Sequence, residues 1–205
     1  MSETSAAAAS RPLSVLFFGT QGAGKGTQVK MLMEFLRSKS DQGIIHIDMG
    51  AELRALRDAG SYAGKLTGTT IDAGHRMPDF MPIYLQTKKL VENLKVGNEH
   101  VVADGLARGA DQTRGFDDAM KYFGRDDFQI ISLELSEESA VKRLLARGRN
   151  DDTEEGIRNR LSWYKTDVMP QLELLRERGR KIHVIDGEPD IETIHKDILQ
   201  KLGLS

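Results

Sequence analysis

Gly19-Thr20-Gln21-Gly22-Ala23-Gly24-Lys25-Gly26-Thr27 decides how this chain is read. The stretch follows a mostly apolar run from Leu13 to Phe18 and precedes Val29, Leu32 and Leu36, which recur at helical spacing. A buried strand, a glycine turn and a helix start together make a phosphate cradle. Gly19, Gly22 and Gly24 let the backbone approach a phosphate with no Cβ in the way. The N–H groups of the turn form a nest for anions. The helix behind adds its unsatisfied N–H groups and its positive dipole end. Lys25 then reaches the outer phosphates as a mobile point charge. Gly26 stands where Ser or Thr ordinarily follows the lysine, and Thr27 comes one place later.

The rest of the chain sets bounds on what this cradle serves. A length of 205 residues suits one domain with a sizeable core. Hydrophobic residues make up 39% and charged residues 29%, an ordinary balance for a globular protein. The formal net charge of −2 implies no nucleic-acid polymer as partner. No apolar stretch is long enough to span a bilayer, so no membrane is implied. The absence of cysteine excludes disulfides, thiolate metal sites and a thiol nucleophile. Met1 to Ser10 is rich in Ser and Ala and lacks the basic-then-apolar form of a signal peptide. Residues 1–12 therefore read as a disordered tail, residues 13–205 as a single domain, and the cytoplasm as the default location.

Strand and helix patterns alternate along that domain. Strands are expected at Leu13–Phe18, Ile44–Ile47, His100–Ala103, Phe128–Leu135 and Lys181–Asp186, with helical stretches between them. This alternation predicts an α/β, three-layer fold: a five-stranded parallel sheet with helices on both faces. Asp79 is expected to cap a helix running to Lys95, and Asp152-Thr153-Glu154-Glu155 to open a long helix as a capping box. That helix carries Ile157, Leu161, Tyr164 and Val168 on one stripe, packs Trp163 and Tyr164, and meets Pro170 as a kink. Ligands of such sheets lie beyond the carboxyl ends of the strands, where Gly19, Asp48 and Asp104 should converge.

Asp104 follows apolar residues at a strand end, the place from which an acid can hold Mg²⁺ directly or through water beside a phosphate cradle. Arginines recur near element ends, at Arg54, Arg108, Arg143, Arg147, Arg149 and Arg160 among others. Phosphoryl transfer requires positive charge aimed at the moving group, and arginine is permanently charged and holds two oxygens at once.

With these residues in place the chain resembles the nucleoside monophosphate kinases, adenylate kinase closest among them. Gly22 to Thr27 resembles their P-loop, His46 to Arg54 the opening of their monophosphate-binding subdomain, and Asp104-Gly105-Leu106-Ala107-Arg108 with Gln112 the adenylate kinase signature. The resemblance covers nearly the whole chain after Pro12. It implies a P-loop kinase fold with a small helical monophosphate-binding subdomain at 49–78 and a minimal lid at 147–152. It implies reversible, Mg²⁺-dependent transfer from ATP, the co-substrate, to AMP. Kinases of UMP or CMP, and a P-loop nucleotide-binding protein without transfer, are the alternatives. By resemblance, Gly22, Ala23, Gly24, Lys25, Gly26, Thr27, Arg143 and Gly187 bind ATP. Gly50, Leu53, Arg54, Met77, Gly105, Arg108 and Gln112 bind AMP. Lys25, Arg108, Arg147, Arg149 and Arg160 are catalytic, and Asp104 (through water) and Thr27 serve the metal. The chain is expected to be a monomer or homo-oligomer.

The sequence departs from the family at three places. Leu106-Ala107 replaces a Phe-Pro pair, which predicts a trans peptide and a reshaped loop. Met49 and Asp48 replace small polar residues near the acceptor base. Gly148 alone separates Arg147 from Arg149, where relatives carry a longer lid. Water exclusion is therefore expected from movement of the monophosphate subdomain or from an oligomer contact.

Overall fold

The computed structural model describes residues 11–148 and 152–204. Five strands run parallel in the order β2-β3-β1-β4-β5. They are β1 (Ser14–Gly19), β2 (Ile44–Asp48), β3 (His100–Asp104), β4 (Gln129–Glu134) and β5 (Lys181–Asp186). β1 is buried along its whole length, as a central parallel strand covered on both faces must be. Its side chains alternate: Leu16 and Phe18 enter one core, Val15 and Phe17 the other.

The helices divide between those faces. α1 (Lys25–Lys39) and α9 (Ile191–Leu202) cover the Val15/Phe17 side through Val29, Leu32, Leu36, Ile194, Ile198 and Leu202. α4 (Phe80–Asn93), α5 (Ala110–Tyr122) and α8 (Met169–Glu177) cover the other through Leu90, Phe116, Met120 and Leu175. α2 (Met49–Asp58) and α3 (Tyr62–Asp72) pack on each other beyond the end of β2. α6 (Glu137–Arg147) and α7 (Glu154–Trp163) share a small core of Ala140, Leu144, Ile157 and Leu161.

Three local expectations are corrected. The long helix after Asp152 is α7, a π-helical turn at Tyr164–Val168, and then α8. Pro170 has no N–H to return to a carbonyl four residues back. The chain widens before it, and the Met169 N–H reaches the Tyr164 carbonyl five residues back. At the start of α7 the cap is Thr153, whose hydroxyl accepts from the Gly156 N–H at 3.1 Å, while Asp152 pairs with arginines. Asp79 precedes α4 without capping it, because its carboxylate is taken by Arg76 and by the Gln112 amide.

All peptide bonds between described residues are trans, Leu106–Ala107 included, and Ala107 has a left-handed φ of 53°. The expected tail falls mainly outside the described residues. At its end Arg11 meets Asp127 in an exposed ion pair.

Candidate active site

The carboxyl ends of β1, β2 and β3 open into a cleft of about 730 Å³. Gly22, Gly24, Lys25, Gly26, Thr27, Gly50, Leu53, Arg54, Asp104, Gly105, Arg108, Arg143, Arg147 and Arg160 all line it. The sheet register explains the meeting, since β2 and β3 end side by side with Asp48 opposite Asp104, and β1 runs next to β3.

The glycine turn is locally determined. Gly19 has φ +138°, and a Cβ there would lie 2.5 Å from the Leu133 carbonyl oxygen, so a side chain is excluded where β1 turns out of the sheet. The Ala23 N–H is spent inside the turn, on the Thr20 carbonyl at 3.1 Å, and its methyl is buried in the core. Lys25 folds back: its ammonium donates to the Gly19 and Thr20 carbonyls at 2.8 and 3.0 Å. Burial pulls the Lys25 ammonium below its ordinary pKa, with Asp104 opposing and Arg108 adding to the effect.

Opposite the turn stand two uncommitted cations. The Arg54 and Arg108 guanidinium groups make no hydrogen bond or ion pair among the described residues. Burial lowers the Arg108 pKa, with Asp104 opposing, yet a guanidinium stays charged. Arg147 and Arg160 converge on Asp152: Arg147 donates to both its carboxylate oxygens at 2.7 and 2.8 Å, and Arg160 to Oδ1 at 2.8 Å. Arg143 donates to the Gly187 and Glu188 carbonyls at 2.9 and 3.3 Å, which brings it against the segment after β5.

Asp104 tests whether the residues fit a metal. Its Oδ1 is buried without a hydrogen-bond partner among the described residues, and burial raises its pKa, with Lys25 opposing. Among the described residues no group of three or more His, Cys, Asp or Glu could hold an ion. The carboxylate of Asp104 and the hydroxyl of Thr27, two residues that line the cleft, fit Mg²⁺, which keeps much of its water and binds through few carboxylates plus substrate phosphates.

Some expected site residues lie elsewhere. Met77 is buried in the core beside Met49 and Leu53. Gln112 is buried under the 105–109 loop; its Oε1 accepts from the Arg108 N–H at 3.2 Å and its Nε2 donates to Asp79 at 2.9 Å. Arg149, with Asn150 and Asp151 of the expected lid, lies outside the described residues. Conversely, Trp163 lines the cleft, and so do Arg57, Ile71, Asp72 and His75. Trp163 escapes a sequence reading because the turn that ends α7 beside it follows from Pro170, several residues away. Asp152 escapes as the shared arginine partner because capping and pairing look alike in sequence. Among the described residues, no helix is long and apolar enough to cross a membrane.

Known proteins are similar to this chain in sequence. A family model described as "Adenylate kinase" matches residues 17–180. The adenylate kinase of Prochlorococcus marinus is 34% identical over 93% of this chain and 97% of its own length. That of Corynebacterium diphtheriae is 35% identical over 93% of this chain and 99% of its own length. Adenylate kinase 1 of Synechocystis is 34% identical, over 92% and 95%. A cradle on one wall, uncommitted guanidinium groups on the other and matches spanning the domain lead to one assignment: the chain belongs to the adenylate kinase family.

Proposed function

We infer that the chain transfers the terminal phosphoryl group of ATP to AMP, reversibly, giving two ADP. The observation that carries this reading is the pairing of the Gly22–Thr27 cradle with the free Arg54 and Arg108 guanidinium groups across one cleft. A hydrolase needs the first wall; a transferase between two nucleotides needs both.

The turn and Lys25 hold the donor phosphates, Lys25 exchanging its two backbone carbonyls for phosphate oxygens. Arg143 packs on the donor base beside Gly187. Arg54 and Arg108 grip the acceptor phosphate, and Gly50, Leu53 and Gly105 shape its side of the cleft. Gln112 reaches the acceptor base by giving up its bond to Asp79 or to the Arg108 N–H. Met77 supports that side from the core. Arg147 and Arg160, with Arg149, surround the group in transit. Asp152 holds Arg147 and Arg160 at one spacing before substrate arrives. Asp104 and Thr27 would hold Mg²⁺, largely through water; the ion supplies charge neutralisation on the phosphates.

An acceptor phosphate oxygen attacks the γ-phosphorus directly, so no residue forms a covalent intermediate. Charge spreads over the equatorial oxygens and is met by guanidinium groups already in place. Holding donor and acceptor in line contributes on the order of several kcal/mol. ATP and AMP are the partners, and the cytoplasm is the setting of the reading.

Coupled ADP production with AMP, UMP, CMP and GMP as acceptors tests the assignment. AMP is expected to be the preferred acceptor. A higher kcat/KM for UMP or CMP would overturn the choice of base, and no acceptor dependence would overturn the transfer.

A further inference from the structure

Trp163 is the one tryptophan of the chain and the last residue of α7. Its ring faces the Arg108 guanidinium, whose central carbon lies 5.2 Å from the ring centroid. Its indole N–H points elsewhere and donates to the Gly74 carbonyl at 3.0 Å. Gly74 follows α3, on the strand of chain leaving the 49–78 segment. The same face of α7 holds that chain at two more places. Asn159 donates to the Ala73 carbonyl at 3.3 Å. Gly156 lies so near Gly74 that a Cβ on Gly74 would stand 2.9 Å from its Cα. Residues 156, 159 and 163 lie three and four apart, the spacing of one helix face.

We propose that Trp163 is a positioning residue for the acceptor phosphate: its ring holds Arg108 without neutralising it, and its N–H ties that ring to the Gly74 carbonyl, where the chain leaves the 49–78 segment. The proposal rests on the reading that Arg108 grips the acceptor. A carboxylate at this place would hold the guanidinium but would use its N–H donors and cancel the charge a phosphate needs. An aromatic face attracts the cation through its quadrupole and leaves the donors free. The ring cannot follow Arg108 without stretching the bond to Gly74. A phosphate arriving at Arg108 and a shift of the chain at Gly74 are therefore felt by one side chain.

Two variants separate the ring from its N–H. Trp163→Phe keeps an aromatic face and loses the bond to Gly74; Trp163→Leu loses both. KM is measured for AMP and for ATP separately. Trp163→Leu is expected to raise the KM for AMP about tenfold, equivalent to about 1.4 kcal/mol, and the KM for ATP by less than about twofold. Trp163→Phe should recover most of the AMP KM. In the unmodified chain, AMP alone should change the single-tryptophan emission saturably. The proposal is overturned by an unchanged AMP KM in Trp163→Leu, by equal rises for AMP and ATP, or by Trp163→Phe being as impaired as Trp163→Leu. It is also overturned by emission that saturating AMP leaves unaltered. An unchanged AMP KM in Arg108→Ala overturns the reading of Arg108 and this proposal together. A raised one there beside an unchanged one in Trp163→Leu overturns only the role of Trp163.

Discussion

At the starting edge of the sheet Arg125 and Arg180 are buried and spend their donors on the protein; at the finishing edge Arg54 and Arg108 are half-buried and spend none among the described residues. Arg180 donates to Asp117 at 2.6 Å and lies over the Phe128 ring, 4.8 Å from its centroid, while Arg178 donates to the same carboxylate at 2.6 Å. Arg125 donates to Ser14 Oγ and to the Gly97 and Glu99 carbonyls at 3.2, 2.9 and 2.8 Å. Arg147 and Arg160 stand between these cases, since they share the single carboxylate of Asp152. The residue type is the same throughout. What separates structure from function is whether the guanidinium donors are already used.

The contrast makes opposite predictions at the two edges. The largest effect is expected from Asp117→Ala. Burial alone would raise the Asp117 pKa, but hydrogen bonds from Arg180 and Arg178 outweigh it and hold the carboxyl below the ordinary value. Removing one partner of such a cluster costs about 3–5 kcal/mol in unfolding free energy, readable by urea denaturation, while kcat per folded molecule stays near that of the unmodified chain. In the unmodified chain this contribution is present above the unfolded Asp pKa of about 3.9 and is lost as pH falls through the lower folded value.

Arg108→Ala should do the reverse. A loss of about 10²–10³ in kcat/KM for AMP is expected from removing charge at a transferring phosphate, with little change in the unfolding midpoint. Asp104→Asn should separate the two properties inside the site. If Asp104 orients metal-bound water, activity falls by about 10–100-fold. The apo chain should melt higher at neutral pH, because burial disfavours the ionised carboxyl. The sign follows from the raised pKa: the penalty is absent below about 3.9 and grows as pH rises through the folded value. A lower melting temperature for Asp104→Asn at pH 7 would contradict it.

The smallest effect concerns His100, at the starting edge. Its Nδ1 accepts from the Leu13 N–H at 2.9 Å, and burial, with Arg125 adding, lowers its pKa. The neutral ring is therefore favoured in the fold. Its contribution is full above about pH 6.5 and is lost as pH falls below that value. His100→Asn should flatten the acid side of the stability-against-pH profile, measured by thermal melts.

How much of this could be read from the residues differs between the walls of the cleft. The donor wall is local: strand, glycine turn, Lys25 and helix follow one another within Ser14–Lys39, and the structure has them at those places. Asp104 and Asp48 are also readable, because a parallel sheet ends all its strands on one side. The acceptor wall is assembled across the chain. Gln112 is bonded to Asp79, 33 residues earlier, and Trp163 to Gly74, 89 residues earlier. No periodicity announces such pairs. The π-helical turn shows the same limit at short range: Pro170 signals a disturbance, but which neighbouring carbonyls are then satisfied depends on packing. Charge has a similar ambiguity, for Arg108 and Arg180 are alike in sequence, and only the fold brings Asp117 and Asp126 to Arg180.

The product balance tests most directly whether both walls serve one reaction. ATP, AMP and Mg²⁺ are incubated with the chain, and ADP and inorganic phosphate are counted for each ATP consumed. Transfer across the cleft predicts two ADP per ATP, no released phosphate and no turnover when AMP is left out. One ADP and one phosphate per ATP, at a rate indifferent to AMP, would contradict it.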